Sequence, residues 1–277
     1  MKSKNTRKSI IIITIGVIVA IGVYFGVSVY FNYNPLVICR GDKFTDACLA
    51  SYAIDLGLNK KQFIDCIQTI KYRDQIATDN EIGVALGLNS APNLYVGNFS
   101  DGDMFNGFFV PISSYTDVTN VATESINGGV VNAQATNYAN VSKLVDQNIR
   151  SYLTSQGYKD AEFNAEYNKM KIEIDQYMRA FDMLNLKIAR ENIKGDKGNL
   201  VNFVYFVDYA SDGTNGFYTT ILNPLIKEFV DTGKASIVYK DFPITSPTGD
   251  SLRLANSVRC AGEQQKYFEY SNKIQAL

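Results

Sequence analysis

The 277-residue chain has no histidine, no tryptophan, four cysteines and six prolines. Without histidine there is no Ser-His-Asp or Cys-His catalysis, no His-ligated zinc and no HExxH protease. Acid–base chemistry is left to carboxylates, lysine, tyrosine and cysteine. No cysteine pair has the Cys-x-x-Cys spacing, and there is no Gly-rich phosphate loop or EF-hand loop, so neither a metal nor a cofactor is expected. Charge of one sign is lacking too: 27 Lys and Arg balance 28 Asp and Glu, for a net −1. A basic nucleic-acid face is thereby excluded, while 46% apolar residues imply a folded globular body.

One long hydrophobic run is present. Lys2, Lys4, Arg7 and Lys8 (the basic tail, residues 1–8) precede Ser9–Phe31, 23 uncharged and mostly apolar residues. Such a run is long enough to span a bilayer, and the basic flank would stay in the cytoplasm. The expectation is a single-pass membrane anchor over 9–31 with an extracytoplasmic body over 36–277. A cleaved signal peptide is the competing reading. In that compartment Cys39, Cys48, Cys66 and Cys260 are an even, disulfide-permissive set with three pairings open.

Further along, the periodicity becomes informative. Val201–Tyr209 is β-rich; Phe217, Ile221, Leu222, Leu225, Ile226 and Phe229 follow at helical spacing; Ala235–Tyr239 is β-rich again. Pro224 is expected to interrupt that helix and Gly233 to end it. Between strand and helix lies Ser211-Asp212-Gly213-Thr214, where Ser211 or Asp212 would serve as an N-cap.

This strand–helix–strand unit resembles the first half of a DsbA-like thioredoxin domain, with Ser211-Asp212-Gly213-Thr214 on the positions of the family's C-x-x-C. Ala50–Gly97 resembles the family's later half. Phe63 and Cys66 fall on its F-x-x-C, and Ala91-Pro92 on the Thr-Pro whose cis-proline faces the active site. Leu94–Val96 then reads as a strand, Phe108–Val110 as its antiparallel partner, and Ser113–Ala122 as a closing helix. Ser251–Gln275 is similar to the helix with the family's C-A-x-E-Q signature, carrying Cys260.

The resemblance implies an α/β, thioredoxin-like (DsbA-like) fold with a helical insertion, but with its halves in reversed order. Residues 43–125 match the C-terminal half and 198–277 the N-terminal half, joined by a helical linker over 126–197. One circularly permuted domain is the favoured reading. Tandem or swapped half-domains are the alternative. In the permuted case the helices of Cys66 and Cys260 lie side by side, implying a bridge, with Cys39–Cys48 as the other pair. Inside the linker, Val141–Leu153 reads as a short helix and Lys159–Ile193 as one long helix, whose apolar stripe over 159–193 fits a homodimer or a strap.

A thioredoxin fold without motif cysteines implies a redox-inactive, membrane-anchored binding, assembly or chaperone-like module. Its protein or peptide partner would lie in the groove at Ala91 and Pro92. The alternative is an oxidoreductase using the non-motif cysteines.

Overall fold

The structure is a computed structural model and describes residues 44–110, 115–178 and 184–277. Capping side chains start the first helices. Thr45 accepts the Cys48 N–H at 3.3 Å to open α1 (Asp46–Asp55), and Asn59 accepts from Gln62 N at 3.0 Å to open α2 (Lys60–Thr69). Helix α2 stops at Ile70, whose φ of 47° is left-handed and costly for a β-branched residue. The chain reverses there into α3 (Arg73–Ala85). A cis Ala91–Pro92 bond leads into β1 (Asn93–Ser100) and β2 (Met104–Phe109). Three helices follow: α4 (Tyr115–Gly128), α5 (Val130–Ser155) and α6 (Asp160–Met178). Short strands β3 (Leu184–Lys187) and β4 (Ile193–Lys194) precede β5 (Asn202–Val207), helix α7 (212–230), β6 (Ser236–Asp241), α8 (Asp250–Gly262) and α9 (Tyr267–Gln275).

All six strands form one sheet in the order β3-β2-β1-β5-β6-β4. Only β5 and β6 are parallel, and α7 is the crossover between them. β1 lies antiparallel on β5, pairing Leu94 with Tyr205 and Val96 with Phe203, although more than a hundred residues separate them in sequence. The strand period of two then sorts side chains to two faces. Leu94, Val96, Phe203, Tyr205, Ile237 and Tyr239 join the larger core with Leu222 and Leu225 of α7, Phe63 of α2 and Tyr270 of α9. Tyr95, Val204, Phe206 and Val238 face the other way, with Phe242, and α3 lends Ile82 to that side. Gly83 permits this approach: a Cβ there would stand 2.5 Å from the Phe242 ring.

Several expectations are corrected. Among the described residues no helix is long and apolar enough to cross a membrane. The longest, α5, carries Lys143, Asp146 and Arg150. Residues 9–31, where the span was expected, and Cys39 lie outside the described residues. The transmembrane helix in the expected fold class, the membrane partner, the signal anchor and the single-pass, extracytoplasmic location are therefore withdrawn. The expected helix 159–193 is also absent as such. Helix α6 ends at Met178, and β3 and β4 occupy part of the rest, so the long dimer stripe is not continuous. Conversely, Pro224 does not break its helix. It sits in Asn223–Leu225 between two π-helical stretches, Tyr218–Leu222 and Ile226–Val230. The wider π turn accommodates a ring and a missing N–H that would otherwise disrupt an α-helix.

Candidate functional site

Cysteine chemistry lies away from the motif position. Cys66 in α2 and Cys260 in α8 form a disulfide, with S–S 1.99 Å and Cα–Cα 5.8 Å, across 194 residues of chain. Both residues are buried, and this pair corrects the expectation of a chain without redox cysteines. Cys48 is also disulfide-bonded.

Beside Cys66 is an open cavity of about 410 Å³ whose walls include Asn59, Lys61, Asp65, Lys71 and Glu263. Glu263 directly follows α8 and sets the local charge. Its Oε1 lies 3.4 Å from the Cys66 sulfur, accepts from Tyr72 Oη at 2.9 Å, and pairs with Lys71 Nζ at 2.8 Å. Partial burial pushes the Glu263 pKa upward, but bonds from Lys71, Tyr72 and Gln62 outweigh it and hold the carboxyl below its ordinary value. Tyr72 responds oppositely: burial and the facing carboxylate push its phenol up to about 12. The cavity thus holds an ionised carboxylate beside a sulfur.

The Ser211-Asp212-Gly213-Thr214 stretch has a different chemistry. Ser211 stands at the N-cap of α7, but its side chain makes no capping bond. Its hydroxyl donates to Ala91 O at 3.1 Å, and Gly213 lies against the Pro92 ring. Thr214 donates to Asp208 O at 2.6 Å. The structure therefore brings Ser211, Gly213, Ala91 and Pro92 together. Ser211, Asp212, Thr214 and Asn215 together line a cavity of about 230 Å³ with Phe44 and Leu277. The hydroxyls of Ser211 and Thr214 thus both donate to main-chain carbonyls. Among the described residues there is no cluster suited to a metal ion.

Sequence reasoning missed a buried ionic network. Lys240 on β6 is 1% exposed and bonds Asp79 of α3 at 2.8 Å. Arg259 of α8 bonds Asp79 and Asp241, each at 2.5 Å, and lies 3.9 Å from Glu191. Burial pushes Asp79 up to about 6; Lys240 and Arg259 oppose the rise and Asp241 adds to it. Burial raises Asp241 as well, against the pull of Arg259. The signal was Lys240-Asp241 inside an apolar strand, since charges in such a place require partners.

A family model described as Thioredoxin matches residues 187–276, about a third of the chain. A thioredoxin-fold domain is thus present over 187–276. Comparison with curated proteins found no match, and neither did comparison with solved structures.

Proposed function

We propose that this chain is a thiol–disulfide oxidoreductase of DsbA-like ancestry that works through Cys66 and Cys260 instead of a motif pair, with the two halves of the domain in permuted order. Two observations support the ancestry: β1 and β2 continue the sheet beyond β5, and Ala91-Pro92 lies beside Ser211. The observation that carries the activity is the disulfide itself, with Cys66 on the wall of a solvent-reaching cavity. Its chemistry balances without a cofactor. A substrate thiolate attacks the Cys66 sulfur, the Cys66–Cys260 bond breaks, and its electron pair passes to Cys260, which takes a proton. A second substrate thiol, losing its proton, then attacks the mixed disulfide and releases Cys66 as a thiolate. The substrate leaves as a disulfide and the protein as a dithiol; the reverse reaction reduces a substrate disulfide.

The surroundings favour the reverse direction. Cys66 and Cys260 lie towards the C-terminal ends of their helices, where the helix dipole disfavours an anion. Glu263 adds a negative charge 3.4 Å from Cys66. A thiolate at Cys66 is therefore less stable than one at a helix N-terminus, and the closed bond is favoured. The expected reduction potential is more negative than the thioredoxin value of about −270 mV.

Equilibration in thiol–disulfide buffers measures that potential. Incubation of the Cys260→Ser variant with a disulfide-containing peptide should trap a mixed disulfide at Cys66. A pair that stays closed in the folded protein under excess dithiothreitol, with no trapped adduct, would overturn the proposal.

A further inference from the structure

A second cavity, of about 380 Å³, shares Glu263 with the one beside Cys66. Three aromatic side chains line it: Tyr72, Tyr267 and Phe268, with 5.1 Å between the centroids of the last two. Glu191 and Glu263 supply carboxylates. Arg259 also lines the cavity, but its guanidinium is held by Asp241 and Asp79. Glu191 is held only loosely, 3.3 Å from Lys240 and 3.9 Å from Arg259, with its side chain 41% exposed. Counting the charges gives four carboxylates (Glu191, Glu263, Asp79, Asp241) against three cations (Lys71, Lys240, Arg259). The surplus is one negative charge, beside aromatic rings that attract cations.

We propose that this cavity receives a Lys or Arg side chain of the polypeptide whose cysteine engages Cys66. The inference rests on the proposed exchange function and names its substrate class: a protein with a cationic residue near the reacting cysteine. Glu263, common to both cavities, sets the thiol and the cation close together. The groups facing Asp79 are Lys240 and Asp241 from β6 and Arg259 from α8, with Glu191 beyond them. Protonation of Asp79 near pH 6 would cancel the surplus charge. Cation binding should therefore weaken as the pH falls through about 6.

The test uses the oxidised full chain and cysteine-free fluorescent peptides differing at one position: Lys, norleucine or Glu. Anisotropy should show Lys tighter than norleucine by about fivefold, equivalent to ~1 kcal/mol at 1.4 kcal/mol per decade, and Glu weakest. The Glu191→Gln variant should shrink the Lys preference. High salt on the unmodified chain should shrink it too, independently of how the variant folds. Equal binding of Lys and norleucine, or tighter binding of the Glu peptide at Arg259, would overturn the inference. These peptides carry no thiol, so the two proposals fail separately. A Lys preference without exchange keeps the cation cavity, and exchange without a Lys preference removes it.

Discussion

Asp79 shows how a single residue couples burial, charge and pH. Its carboxylate is the shared partner of Lys240 and Arg259, both buried. Asp79→Ala would leave Lys240 with only Glu191, at 3.3 Å, and strip one partner from Arg259. An uncompensated buried charge makes this costly, about 3–5 kcal/mol, measurable by urea denaturation. The pH dependence has a definite sign. Folding raises the Asp79 pKa from 3.8 to about 6, so the folded state binds this proton more tightly than the unfolded chain. Its contribution to stability is complete below the unfolded value and is lost as the pH rises through about 6. Urea midpoints should therefore gain from this group as the pH is lowered from about 7 towards 5, and that gain should vanish in Asp79→Asn. Network members such as Asp79 were not legible from the sequence. An aspartate in the middle of α3 reads as solvated until β6 and α8 pack against it.

At the scale of elements, α2 and α8 are joined by more than their disulfide. Asn256 of α8 donates from Nδ2 to Ile67 O of α2 at 3.4 Å, and Gln264, just past α8, accepts at Oε1 from the N–H of Asn59, the N-cap of α2, at 2.6 Å. Reduction should thus leave the fold intact while lowering its stability. The loop closed by the bond spans 194 residues. The chain-entropy model gives about 5 kcal/mol for such a loop, an upper-range figure. Thermal melts of Cys66→Ser with Cys260→Ser against the oxidised protein check this, and a loss below about 1 kcal/mol would contradict it. Element reading from sequence succeeded where the period was strong. Val201–Tyr209 and the stripe from Phe217 to Phe229 coincide with β5 and α7. It failed at Pro224, where local π geometry replaced the expected break, and over 159–193, where helical spacing ran through the end of α6 into strand sequence.

For the whole molecule, the sheet is the unit that couples distant sequence. β1 pairs with β5, and α1 to α3 pack among α8, α9 and the sheet, so residues 44–110 and 184–277 should unfold together. Helix α6 differs, since it packs chiefly along α5. Its ion pair of Lys169 with Glu166 is solvent-accessible and contributes little to stability. Hydrogen exchange should accordingly be faster in α6 than in β5 and β6 by at least about tenfold. Equal protection would show that the helical hairpin belongs to the same cooperative unit.

What the sequence determined by itself was local and periodic: β5, α7 and β6 as a unit, the absence of histidine chemistry, and a motif position without thiols. A few covalently adjacent residues carry each of these. The disulfide partners were reached only through family resemblance, because spacing alone leaves three pairings open. Tertiary structure decided which charges are buried together, that Glu263 faces Cys66, and that Ser211 bonds to Ala91 instead of capping its helix. Those contacts join residues from 18 to 197 positions apart in the chain. Only packing brings them within hydrogen-bonding range, since local propensity carries no information about what lies across a fold.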